Sequence, residues 1–423
     1  MYVADSRGTP AAPAARLTPG RRSALAPTVL ALGTVSLITD VSSEMVTAVL
    51  PLYLVTGLGL SPLGFGLLDG VYNGFSALVR LVGGHLADRG GRHKAVAVLG
   101  YGLSAVCKPL LLVAGSLPVI GAVLAADRTG KGLRTAPRDA MISLASAPEA
   151  RGRAFGVHRA MDTAGALLGP LVAFLILRQA VDGYDAVFTV SFCVAAVGVL
   201  VLVLFVPARA TTAERAPGAP RASLKAALAL LGEREVRRLA LCALLLGLAT
   251  VSDSFVYLLL QRRLDVPDRW FALLPLGTAA AFLLLAVPLG RLADRVGRWQ
   301  VFLGGHAALL CAYALLLPGW RGDALPYVVL ALHGLFYAAT DGVLMAAAAG
   351  AVPAELRSSG LALIQTGQAS ARFVCSLAFG AAWTAWGDRT ALGTAAVALA
   401  LCAAGAVLLR PAERARTERG TPA

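Results

Sequence analysis

Long apolar runs, each closed by glycine, proline or charge, follow one another along this chain. They fall at 26–54, 62–86, 95–115, 118–146, 152–178, 184–206, 236–261, 267–291, 299–318, 325–351, 358–381 and 390–409. A hydrocarbon core of ~30 Å takes about 20 helical residues. Each run therefore predicts one membrane-spanning helix, and the set predicts an all-α membrane protein with twelve transmembrane helices. Between the sixth and seventh runs lies the polar stretch 207–238, with a short amphipathic helix expected from Ser223. The organisation that follows is a disordered tail (1–25), a six-helix bundle (26–206), a central loop (207–235), a second six-helix bundle (236–410) and a short tail (411–423).

The pattern repeats. Residues 84–94 read GHLADRGGRHK and residues 290–300 read GRLADRVGRWQ, identical at seven of eleven positions at a shift of 206. The same shift carries Arg151 onto Arg357, and Leu67 and Leu68 onto Leu273 and Leu274. Two six-helix halves related in this way are the parallel repeat of a secondary transporter. Placing both termini in the cytosol leaves 24 Lys and Arg on that side, 6 on the other and 8 within spans. The positive-inside bias selects this orientation over its reverse. The arginines at 21 and 22 also precede an apolar run in the manner of a signal peptide, but the run is too long for one and lacks a small-residue cleavage site.

One stretch breaks the apolar rule. DRTGKGLRTAPRDA, 127–140, carries six charges. Its counterpart at a shift of 206 is HGLFYAATDGVLMA, 333–346, in the middle of an apolar run, so 127–140 is also expected inside a span. Asp127, Lys131, Arg134 and Arg138 are spaced as one helical stripe. A charge at the bilayer centre costs ~2.5–3.5 kcal/mol on insertion scales, so such a stripe must face a cavity or paired neighbours. A phosphate-binding loop is excluded, because TGKGL lacks the earlier glycine, the following Ser or Thr and a leading strand. A cytosolic loop is the alternative, since Pro137 and two glycines suit one.

G-x-x-x-D-R-x-G-R after spans two and eight resembles the signature loop of the major facilitator superfamily, and this chain carries it in both expected places. Together with twelve spans and a long central loop, the resemblance extends over nearly the whole chain. It implies two pseudo-symmetric bundles rocking about a central cavity, and a cytosolic gate built from Gly84, Asp88, Arg89 and Arg92 and from Gly290, Asp294, Arg295 and Arg298. Arg128, Gly130 and Gly132 resemble the family's span-four motif. Gly156, Gly165, Gly169 and Pro170 resemble the span-five signature of its exporters, with Val172 and Ala173 in place of the usual later glycines.

The spans hold eight acids (Asp40, Glu44, Asp69, Asp127, Asp139, Asp162, Asp253, Asp341) against eight bases (Arg80, Lys108, Arg128, Lys131, Arg134, Arg138, Arg159, Arg372). Buried charge requires such balance, and static pairing is one reading of it. The other is coupling chemistry. Asp40 and Glu44 are four apart on one face, and two acids so close cannot both ionise easily in a dry site. Asp40, Glu44, Asp162 and His158 are the proton-coupling candidates; His158 is equally well read as a hydrogen-bonded packing residue. Arg80, Arg128, Lys131, Arg134 and Arg159 from the first half, and Asp253, Tyr257, Asp341, Gln365, Gln368 and Arg372 from the second, are the substrate-cavity candidates. Asp69, Asn73, Ser76 and Arg80 form a polar stripe on span two, toward the cavity or the other bundle. The thinner second set suggests that the first half handles ions and the second supplies more of the apolar pocket.

Composition narrows the function. With 57% hydrophobic and 15% charged residues, a chain of this length does not have the polar surface of a soluble protein. The net charge of +14 sits at the ends of apolar runs, so it reads as membrane topology and not as nucleic-acid binding. The six cysteines are scattered singly, with no metal or disulfide spacing. No nucleotide-binding motif, nucleophile–base constellation or cofactor site is present, so neither an enzyme nor a non-transporting receptor is expected. The leading expectation is a monomeric proton-coupled exporter of a small molecule in the cytoplasmic membrane, with both termini cytosolic. The alternative is uptake or exchange of a small organic anion, to which the basic stripe is suited.

Overall fold

In the computed structural model, residues 26–88, 92–146, 151–180, 183–207, 229–264, 266–317, 322–352 and 357–408 are described. The expected tails, most of the central loop and its amphipathic helix lie outside them. So, at side-chain level, do Arg80, Gly84, Asp88, Arg89 and Asp294.

The first half consists of α1 (Pro27–Leu52), α2 (Pro62–Asp88), α3 (His93–Val113), α4 (Leu117–Leu144), α5 (Arg151–Gln179) and α6 (Gly183–Phe205). The second consists of α7 (Arg234–Leu248), α8 (Asp253–Leu264), the single turn α9 (Asp268–Phe271), α10 (Leu274–Val296), α11 (Arg298–Leu316), α12 (Leu325–Ala351) and α13 (Arg357–Leu408). Eight stretches among the described residues are long and apolar enough to cross a membrane. α4 is not one of them, because its charges lower its hydropathy. It is nonetheless one unbroken helix through 127–140, with Pro137 inside it, so the loop alternative falls.

The repeat seen in sequence reappears in packing. α2 and α3 both run along α4, as α10 and α11 both run along α12. α1 lies on α5, as α7 lies on α13. Small residues set these distances. A Cβ on Gly100 of α3 would sit 2.7 Å from the Gly130 carbonyl oxygen of α4. A Cβ on Gly169 of α5 would sit 2.8 Å from the Val41 carbonyl oxygen of α1. Large apolar side chains such as Val197, Leu200, Leu284 and Leu401 remain exposed on the outer faces, as lipid contact requires.

Two elements depart from expectation. The seventh run is two helices, α7 and α8, separated by Ala249–Ser252. The break is sustained because its backbone finds partners: the Val251 N–H donates to the Tyr313 hydroxyl at 2.8 Å, and the Ser252 carbonyl accepts from the N–H groups of Phe255 and Val256. The eleventh and twelfth runs are joined almost end to end in α13, interrupted only at Gly387, whose φ of +82° no β-branched residue would adopt comfortably. Arg263, at the end of α8, reaches this corner and lies 3.5 Å from Asp388.

Candidate functional site

α4 brings its charges to three neighbours in turn. Nearest its start, Asp127 accepts from Ser104 of α3 at 2.5 Å and from Arg128 Nε at 2.9 Å, with Lys108 Nζ at 3.9 Å. The Arg128 guanidinium lies 3.8 Å from the centre of the Tyr72 ring. Asp127, Arg128 and Lys108 are all buried. Arg128, expected on a cavity wall, is therefore behind one: Tyr72 stands between it and the open space, because the i,i+1 pair with Asp127 turns it toward α2 and α3.

Two turns further, Arg134 pairs with Asp40 of α1 at 3.5 Å and covers the Tyr101 ring at 4.4 Å. Beyond it, Arg138 pairs with Asp139 at 3.1 Å and Asp162 of α5 at 3.6 Å, and donates to Ser36 at 3.2 Å. Ser36 also bonds His158 Nε2 at 2.9 Å, which holds that buried ring as a packing partner of α1. Arg159 reaches Asp162 at 3.6 Å but is largely exposed. Asp40 and Asp162 stand on one cavity wall, Asp40 beside Arg134 and Asp162 between Arg138 and Arg159. Asp40, Arg134, Arg138, Arg159 and Asp162, with Lys131 and Glu44, line a cavity of about 440 Å³ bordered from the second half by Ala279, Phe282 and Leu283 of α10. Among the described residues, Lys131 and Glu44 make no ion pair within 4.0 Å.

Glu44 also borders a second cavity, of about 410 Å³, between the halves. α1 and α2 contribute Glu44, Thr47, Tyr72 and Asn73, and the break between α7 and α8 contributes Thr250–Ser254. Tyr257, Thr278, Phe282, Tyr337, Asp341 and Arg372 complete the wall. Asp253, Tyr257, Asp341 and Arg372 were legible as cavity residues. Gln365 and Gln368 are on α13 but on the wall of neither cavity. Arg92, Arg295 and Arg298 are exposed at helix ends. Tyr337 and His333, which bind Asp253 at 2.5 and 3.1 Å, escaped the sequence reading. A signal existed: the shift of 206 lays Asp127, Lys131 and Thr135 on His333, Tyr337 and Asp341.

At one end the halves meet tightly. Asp69 of α2, 5% exposed, accepts from Ser376 of α13 at 2.7 Å. Phe65 meets Phe255 at 4.9 Å between centroids, and Phe174 meets Trp270 at 5.0 Å. The Leu63 N–H donates to Thr384. Among the described residues no group of His, Cys, Asp or Glu could hold a metal ion.

The sequence profile of the Major Facilitator Superfamily matches residues 32–375 and 271–423. An uncharacterised MFS-type transporter of Methanocaldococcus jannaschii is 29% identical over 369 residues, 85% of this chain and 89% of its own length. An uncharacterised protein of Mycobacterium tuberculosis is 38% identical over 156 residues, 37% of this chain and 38% of its own. Among solved structures, the nucleoside transporter NupG superposes with a TM-score of 0.78 at 14% identity, covering 91% of this chain and all of its own. A bacterial homologue of the human lysosomal transporter Spinster, in an inward-facing occupied conformation, gives 0.73 at 16% identity over 93% of this chain and 98% of its own.

Proposed function

The chain belongs to the major facilitator superfamily, a family of secondary transporters with a multi-pass membrane fold, and from that premise we propose that it couples proton entry to the efflux of a small molecule by alternating access. The observation that carries this reading is that Asp40 and Asp162 share the wall of the first-half cavity, each beside its own arginine. Two acids facing one cavity do not ionise independently, and protonating one removes their repulsion. When that proton leaves, the repulsion pushes on α1 and α5, which pack along each other. Glu44, shared by both cavities, links this pair to the central chamber.

With both termini in the cytosolic side of the plasma membrane, the seam of Asp69 with Ser376 and Phe174 with Trp270 is the outward gate, closed in this conformation. Alternating access then consists of opening that seam while the signature loops close the other end. Purified chain in proteoliposomes, under an imposed pH gradient and against a metabolite and drug panel, tests the proposal. Asp40→Asn or Glu44→Gln is expected to abolish the dependence of flux on the gradient. Unchanged gradient-driven flux in both removes α1 from the mechanism. Lys131, on the cavity wall without an ion-pair partner among the described residues, supports a second reading: uptake or exchange of a small organic anion. Direction decides between them, since export lowers cellular accumulation of the substrate and uptake raises it.

A further inference from the structure

We infer that the central cavity takes an organic cation, and that the substrate's protonated amine is held by the free carboxylate oxygen of Asp253. This names a substrate class and rests on the central cavity being the substrate chamber.

Asp253 opens α8, directly after the break, and its side chain crosses to α12. Both of its described hydrogen bonds fall on one atom: the Tyr337 hydroxyl donates to Oδ1 at 2.5 Å, and His333 Nε2 stands 3.1 Å from the same oxygen. Oδ2 has no partner among the described residues, and the side chain keeps 40% exposure on the cavity wall. The carboxylate is thus oriented by one oxygen and presents the other. His333 is fully buried, and its Nδ1 has no hydrogen-bond partner among the described residues, so Nε2 is the one ring atom that orients Asp253.

The remaining wall agrees. Glu44, Asp253 and Asp341 face Arg372 in this cavity, three acids to one base. Neither Glu44 nor Asp341 has an ion-pair partner among the described residues. The guanidinium of Arg372 lies 5.8 Å from the centre of the Tyr337 ring and, among the described residues, makes no ion pair within 4.0 Å. The cations of α4 border the neighbouring cavity, where Arg134 and Arg138 are already paired. Tyr72, Tyr257, Tyr337 and Phe282 add aromatic surface, whose faces attract cations. A carboxylate ligand would meet three acids and leave Oδ2 unpaired; an ammonium pairs with Oδ2 and meets aromatic faces. A volume of about 410 Å³ suits a small molecule.

The test uses the full chain purified in detergent and two probes of matched size, 2-phenylethylammonium and 3-phenylpropanoate, with binding read by calorimetry. The ammonium is expected to bind and the carboxylate not. Asp253→Asn, which keeps the shape of the side chain, is expected to weaken ammonium binding at least tenfold, Asp341→Asn less, and Tyr337→Phe several-fold through lost orientation. Each variant is checked for an unchanged elution profile and unfolding temperature; one that fails this check is replaced by Asp253→Ser. Failure of the ammonium to bind, preference for the carboxylate, or wild-type affinity in a folded Asp253 variant overturns the assignment. Amine binding that depends on Asp253 without any flux driven by a pH gradient leaves this inference standing and removes proton coupling alone. Coupled flux of a non-cationic substrate does the reverse.

Discussion

The two halves share a repeat and a packing scheme, yet they treat charge differently. In the first, Asp127 with Arg128 and Lys108, Arg134 with Asp40, and Arg138 with Asp162 pair inside one bundle, across α1, α3, α4 and α5. In the second, Asp253, Asp341 and Arg372 reach the central cavity, and the close partners of Asp253 among the described residues are an imidazole and a phenol. A charge paired within its own bundle moves with that bundle and resists separation. A carboxylate held through one oxygen at the cavity wall keeps the other free to take a ligand. The expectation that the first half handles ions and the second supplies apolar surface therefore needs a third part: the second half also presents charge, fewer groups but more available ones.

The comparison breaks most readily at the buried cluster. Arg128→Ala leaves Asp127 buried without its closest charged partner, and is expected to cost about 3–5 kcal/mol. A thermal unfolding midpoint close to wild type in detergent would mean that the cluster is wetter than its burial indicates. Next comes the seam. Ser376→Ala removes the donor to Asp69 and is expected to cost about 1–3 kcal/mol. Because the seam joins the halves, the loss should also raise the reactivity of a cysteine placed at Thr384, near the closed end. Equal reactivity in both backgrounds would deny Asp69 a part in closure.

A tighter helix contact gives a similar or smaller effect. Gly130→Ala puts a methyl against the Gly100 carbonyl and is expected to cost about 1–3 kcal/mol as overpacking, read from the same unfolding curves. The finest discrimination lies between Arg159→Gln and Asp341→Asn. Both side chains are exposed, so both changes should alter stability by less than about 0.5 kcal/mol. Transport should separate them, with Asp341→Asn lowering flux and Arg159→Gln leaving most of it. Equal transport by the two variants would erase the distinction between the halves at the cavity wall.

Much of the architecture was legible because its signals are local. Apolar run length marks where a helix must be, and bounds such as 325–351 for α12 and the start of α5 at Arg151 follow from where polarity resumes. That 127–140 is helical was inferred from the repeat, since an apolar counterpart excludes a loop. The break at Ala249–Ser252 was not legible. Its sequence, ATVS, lies in an apolar run, and what permits the break is the hydroxyl of Tyr313, some sixty residues away. The cavity residues of the second half were found by polarity, whereas His333 and Tyr337 looked like ordinary members of an apolar span. Only the register of the repeat marked them, and register says nothing about which way a ring points.

Hydropathy and the internal repeat sufficed to establish a helical membrane protein of two related halves, because lipid enforces apolar run length and duplication preserves spacing. Partner choice among its charges was settled only by packing. Asp127 has Arg128, Lys131 and Arg134 all within two helical turns, and α3 decides the matter by offering Ser104 and Lys108. An ion pair needs two groups within 4 Å, and that separation depends on how neighbouring helices cross, which no single helix encodes.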